Sequence, residues 1–243
     1  MKKFVLVSAL GLMTAASSYA QNDVEYRADF GVAVGATTYY GDFNSNAFNN
    51  MQPAFGALLR LTPNPHMALR AAATYSQLKG DAKDNKSFFQ PISDKNYKFK
   101  TSLVDVSFTY EYNFWAYGTG HEYRGAKRFT PFLSVGLGAT YAKNDNNIWD
   151  MSERGHEETS SKSTFTANVP IGFGVKYRLG DRINLSLDWQ MHFSLSDQLD
   201  GMKDPYAIAS EGMFKNTDCY STLSLALTYS FSAKCSTCMK DRR

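Results

Sequence analysis

The sequence predicts an all-β fold, a single eight-stranded antiparallel up-and-down β-barrel that spans a membrane. Three observations carry that expectation. About eight segments alternate apolar and polar residues with period two. Aromatic residues close the apolar faces at their ends. Connections between segments alternate between short and long, which is the outer-membrane pattern.

The strands follow in order. Residues 28–40 set Phe30, Val32, Val34 and Tyr40 on one face, with Ala28, Ala36 and Thr38. The opposite face holds Asp29, Gly31, Ala33, Gly35, Thr37 and Tyr39. Residues 51–62 set Met51, Pro53, Phe55, Ala57, Leu59 and Leu61 against Ala54, Gly56, Leu58 and Arg60. Residues 67–76 set Leu69, Ala71, Ala73 and Tyr75 against Arg70, Thr74 and Ser76. The fourth segment, 104–114, sets Val104, Val106, Phe108, Tyr110, Tyr112 and Phe114 against Asp105, Ser107, Thr109, Glu111 and Asn113. The fifth, 129–141, sets Leu133, Val135, Leu137 and Tyr141 against Phe132, Ser134, Gly136 and Gly138. The sixth, 165–179, sets Phe165, Ile171, Phe173, Val175 and Tyr177 against Asn168, Gly172, Gly174, Lys176 and Arg178. The seventh, 183–193, sets Leu185, Leu187, Trp189 and Phe193 against Asp188, Gln190 and His192. The eighth, 222–231, sets Leu223, Leu225, Leu227, Tyr229 and Phe231 against Ser224, Ala226, Thr228 and Ser230.

Each segment has about the 9–11 residues a tilted membrane strand needs. No apolar face carries Asp, Glu, Lys or Arg; the opposite faces carry them all. Alternation alone does not say which face points outward, because a soluble barrel has its apolar faces inside. The aromatic girdles, the small residues suited to a narrow lumen and the loop lengths select the membrane orientation. Residues 62–66 and 180–182 are short turns, whereas 79–98, 142–162 and 194–218 are long and polar. The connection 115–128 falls on the turn side by count and is longer than a turn, which suggests a partner-contacting element there.

Length and charge add bounds. A chain of 243 residues with net charge +3 gives no electrostatic case for nucleic acid. Lys2 and Lys3, the apolar run Phe4 to Met13 and Ser18-Tyr19-Ala20 read as a signal peptide over 1–20. Gln21 gives no lipoprotein start. The expected layout is a barrel over 21–231 and a basic tail over 232–243, with both termini in the periplasm.

Several stretches carry a family resemblance. "GATTYYGDF", with Tyr39, Tyr40, Gly41 and Asp42, is similar to a signature near the start of small Bacteroidetes outer-membrane barrels. The hairpins "PAFGALLRLTPNPHMALRAAATY" and "GFGVKYRLGDRINLSLDW" and the stretch "RFTPFLSVGLGATY" are similar too. Together they resemble the PorG-type barrels of the type IX secretion system. The resemblance implies a non-enzymatic role, in which the barrel tethers a periplasmic ring lipoprotein of the PorK and PorN kind to the outer membrane. It implies no catalytic residues.

The tail is the natural candidate for that partner. Lys234, Cys235, Cys238, Lys240, Arg242 and Arg243 are candidate partner contacts. The two cysteines can close on each other or bond a partner; zinc needs about four ligands, and no second pair lies near. Cys219 makes the cysteine count odd. His192 and Ser194 share a face, but a spacing of two places them about 7 Å apart, too far for direct activation of a nucleophile. Asp188, Arg60 and Arg70 read as structural charges of the lumen, and the Asn/Asp/Ser-rich loops as solvated. No cofactor, metal, nucleic acid or small-molecule substrate is expected; outer-membrane lipid is. Two other classes share the pattern: a generic small barrel with an adhesion or membrane-integrity role, and a lipid-modifying enzyme.

Overall fold

The computed structural model describes residues 26–40, 50–81, 98–118, 127–144, 163–195 and 219–233. The expected signal peptide, Gly41, Asp42 and the tail residues from Lys234 onward lie outside them. The strands are β1 Tyr26–Tyr40, β2 Gln52–Asn64, β3 Met67–Asp81, β4 Lys98–Asn113, β5 Phe129–Asn144, β6 Ser163–Arg178, β7 Ile183–Ser194 and β8 Cys219–Ala233. Each pairs antiparallel with its sequence neighbour, and β8 returns to β1, so the sheet closes. Among the described residues no helix is long and apolar enough to cross a membrane. Closure leaves no sheet edge, so every strand finds backbone partners on both sides. In hydrocarbon, where an unpaired N–H or C=O costs several kcal/mol, only such a closed sheet or a helix is tolerated.

The expected face assignment holds along all eight strands, and its sign is now fixed. Phe108, Leu137 and Phe165 are 67%, 70% and 75% exposed, whereas Arg60 and Glu111 are 2% and 0% exposed. Rows of apolar side chains run around the outside, such as Leu69, Tyr110, Val135, Ile171 and Met191 on β3 to β7. Soluble proteins rarely expose apolar patches beyond a few hundred Å². A continuous apolar belt around an enclosed charged interior is built for contact with lipid.

Where the strands end differs from expectation. β3 continues to Asp81 and β4 starts at Lys98, so that hairpin extends well beyond the alternating stretch. β8 runs through Ser232 and Ala233, with Ala233 opposite Tyr26, so two residues assigned to the tail are strand. Ala28 and Thr38, placed on the apolar outer face by parity, are both buried. Ser221, opposite Thr38, is buried as well, so exposure to lipid stops short of the loop-side end of this seam.

The small residues of β1 have a concrete cause. A Cβ added at Gly35 would lie 2.1 Å from the Leu223 carbonyl oxygen, and one at Gly31 would lie 2.3 Å from that of Leu227. The obstacle is the backbone of β8, brought close by the curvature of a narrow barrel, and a backbone cannot swing aside as a side chain can. Gly35→Val is expected to lower stability by about 3 kcal/mol, the upper end of ordinary overpacking. Urea unfolding in lipid vesicles, followed by the shift of the folded band on unheated gels, checks this.

Candidate functional site: the filled lumen and its turn-side mouth

The polar faces of the strands meet in the lumen, and their charges assemble around Glu111. Glu111 Oε2 lies 2.6 Å from Lys176 Nζ and 2.9 Å from Arg60 Nε, and Oε1 lies 3.2 Å from Arg70 Nε. Register explains why the three cations gather. Arg60 on β2 sits directly opposite Arg70 on β3, a like-charge pair that is unfavourable unless a carboxylate comes between them. Glu111, one strand further and two residues towards the turn end, supplies it. Arg70 reaches on to Asp188, with Nη1 3.2 Å from Oδ2, and donates from Nε to Thr109 Oγ1 at 3.2 Å. Lys176 donates to Asn113 Oδ1 at 2.7 Å and lies 4.5 Å from the centre of the Phe132 ring.

A second group sits nearer the long-loop end. Asp105 Oδ2 accepts from Tyr220 Oη at 2.8 Å, Asn168 Nδ2 at 2.6 Å and Thr140 Oγ1 at 3.0 Å. His192 stacks on the Tyr220 ring, with centroids 4.4 Å apart, and its Nδ1 is 3.9 Å from Asp105 Oδ2. The group that approaches His192 Nδ1 is therefore Asp105. Ser194 Oγ pairs with Thr166 Oγ1 at 3.3 Å. Both His192 and Ser194 are buried in the lumen, away from the lipid face. Between the two groups lies a cavity of about 40 Å³, bounded by Gly35, Gly56, Arg70, Asp105, Asp188 and His192. That is room for about three waters. Around it the described lumen is packed with buried side chains such as Arg60, Glu111, Phe132 and Lys176.

The turn-side mouth is closed by a residue that parity reasoning did not place. Tyr117, in the connection after β4, turns into the barrel and is 4% exposed. Its hydroxyl donates to Asn184 Oδ1 at 2.9 Å, and its backbone N–H donates to the Pro65 carbonyl at 3.1 Å. Asn184 Nδ2 donates to Ser230 Oγ, which donates to Asp29 Oδ1, so the plug is wired to β7, β8 and β1. Burial raises the Tyr117 pKa well above the ordinary phenol value, which keeps this donor protonated. Lys127 pairs back to Ala116 and lies 4.8 Å from the Trp115 ring centre. The flanks of the 115–128 connection thus tuck under the barrel; its residues 119–126 lie outside those described.

The remaining sequence-predicted positions divide. Arg60, Arg70 and Asp188 are brought together as structural lumen charges. Of the tyrosine signature, Tyr39 points inward, is fully buried, and stands opposite Tyr220. Tyr40 is the last residue of β1, opposite Cys219; Gly41, Asp42, Cys235, Cys238, Lys234, Lys240, Arg242 and Arg243 fall outside the described residues.

The family described as "Domain of unknown function (DUF6089)" matches residues 3–240. The chain belongs to the DUF6089 family. No curated protein matches it in sequence. Among solved structures, this DUF6089 chain is similar to Neisserial surface protein A at 13% identity and a TM-score of 0.48, covering 84% of this chain and 97% of that one. It is also similar to the outer membrane protein OprG from Pseudomonas aeruginosa, at 11% identity and a TM-score of 0.46, covering 86% and 99%. The attachment invasion locus protein Ail of Yersinia pestis follows at 11% identity and 0.44, with the same coverage.

Glu111→Gln is expected to destabilise this DUF6089 barrel by about 3–5 kcal/mol, because it leaves three buried cations without their shared carboxylate. Urea unfolding in vesicles measures it. Tyr117→Phe keeps the ring and removes the hydroxyl; about 1 kcal/mol should be lost in the same assay, and Tyr117→Ala should lose about 3 kcal/mol or more.

Proposed function

We propose that the chain is a non-conducting outer-membrane anchor, the barrel component of a type IX secretion machine. In this reading its turn side faces the periplasm and tethers a ring lipoprotein. The observation that carries the reading is the lumen, filled by its own ion pairs and closed at the turn side by Tyr117. A barrel with no path through it acts through its surfaces rather than by conduction. The secretion machine itself rests on the resemblance to PorG-type barrels in the tyrosine signature and the hairpins. The tail carrying Lys234, Cys235, Cys238, Lys240, Arg242 and Arg243 supplies a basic, cysteine-bearing arm on the side where a ring would sit.

Because β8 is complete only at Ala233, the informative truncation ends there. The chain cut after Ala233 is expected to fold and insert normally but to lose co-purification of the ring lipoprotein. Undiminished co-purification removes the tail from the proposal, and normal type IX secretion in a strain lacking the whole protein removes the machine. Orientation has its own check. An epitope inserted at residue 150, in the loop between β5 and β6, should be reached by antibody on intact cells, whereas one appended after Arg243 should not.

A further inference from the structure

Outward-facing lysines collect at one place on the loop-side rim. Lys79 on β3 and Lys100 on β4 are directly opposite in the register, and both are exposed. Lys143 on β5 is exposed and opposite Ser102, which places it diagonal to Lys100 at roughly 7–8 Å. All three have outward parity, in line with Tyr75, Val104 and Tyr141. Among the described residues none of the three makes an ion pair. Like charges directly opposite on adjacent strands are destabilising, and the next register pair on the same parity, Asp81 opposite Lys98, adds no net charge to offset them.

The cluster's height above the apolar belt brings lipid headgroups within its reach. Tyr75 and Tyr141 form, with Val104 between them, the last row before the polar residues, and both rings are about half exposed. Tyrosines in that position mark a membrane interface. Lys143 is two residues beyond Tyr141, and Lys79 four beyond Tyr75, so their Cα atoms lie roughly 7 and 13 Å further along the strands. On tilted strands those steps reach into and just past the headgroup layer. Lysine stems lie along the apolar surface while the ammonium groups reach phosphate level. The next row holds hydroxyls: Ser102 faces Lys143 from β4 and Ser163 faces it from β6.

We propose that Lys79, Lys100 and Lys143 form a binding site for the phosphates of an outer-leaflet glycolipid, with Ser102 beside Lys143 facing its sugar. The inference rests on the orientation given under Proposed function, in which the loop side faces outward. Three ammonium groups against a multiply phosphorylated headgroup give charge-assisted contacts and remove the like-charge conflict.

The test uses the full chain purified in a neutral detergent, with a bis-phosphorylated glucosamine glycolipid as the probe and binding followed by native mass spectrometry. Wild type should retain the lipid, and the K79E/K100E/K143E variant should lose affinity at least tenfold. A charge-removing K79Q/K100Q/K143Q variant covers the case in which three glutamates prevent folding, and should lose affinity in the same direction. K127E/R128E, at the opposite rim, should bind as wild type does. Equal binding by wild type and the Lys→Gln variant overturns the site. So does an equal loss in the opposite-rim variant. Full competition by inorganic phosphate assigns the site to a free anion, and equal retention of phosphatidylglycerol assigns it to any anionic lipid; either result overturns the glycolipid. Because this binding is measured on the isolated protein, its failure leaves the epitope test of orientation untouched. A periplasmic epitope at residue 150 overturns the orientation reading whatever the lipid result.

Discussion

The pairing of β1 with β8 is the constraint on which the other features depend. Until that seam forms, two strands carry open edges, and the charged faces of all eight have no enclosed space to share. Once it forms, the backbone is satisfied within the sheet, and the outside can be wholly apolar. The seam also explains its own sequence. Close approach of β1 to β8 leaves no room for side chains at Gly31 and Gly35, while the residues on either side of them, such as Phe30, Val32 and Val34, stay large because they point the other way.

Enclosure then governs the charges. An isolated carboxylate or guanidinium in this interior would be prohibitively costly, so the seven buried Asp, Glu, Arg and Lys side chains among the described residues are tolerable only as a set. Glu111 touches three cations, Arg70 bridges it to Asp188, and Asp29 and Asp105 are held by hydroxyl and amide donors. Such a network ties β2, β3, β4, β6, β7 and β8 across the lumen, while Asp29 joins β1 to its neighbour β8. The network holds facing strands to one another and leaves the cavity of about 40 Å³ between the two groups.

The strand faces were legible because hydrocarbon outside and charge inside impose a strict period of two. The outward and inward faces between Phe30 and Phe231 follow that pattern except at Thr38, and so does the membership of Arg60, Arg70, Asp105, Glu111, Lys176 and Asp188 in the lumen. The signal fades once a strand leaves the bilayer. Beyond Ser76, and before Val104, polar residues suit both faces while the backbone ladder continues, so the alternating pattern stops short of the extension through Lys79 and Lys100, and residues 79–98 read as loop. Tyr117 was missed for a different reason. It lies outside any strand, and its burial comes from hydrogen bonds to Pro65 and Asn184, which are distant in sequence. The ion-pair partners were likewise hidden, since they depend on register across the lumen and on the stagger of a closed sheet.

Which medium touches each face decides the rest of the structure, and β4 offers the most direct measurement. Single cysteines at residues 104 to 112, in a background with the native cysteines replaced, can carry nitroxide labels in reconstituted vesicles. Collision with oxygen, which concentrates in hydrocarbon, should then rise at 104, 106, 108, 110 and 112 and fall at the alternate positions, with little access for a water-soluble nickel reagent at 106 and 108. High nickel access at 106 and 108, or oxygen access without a period of two, would contradict a barrel whose oily face meets lipid and whose charges are enclosed.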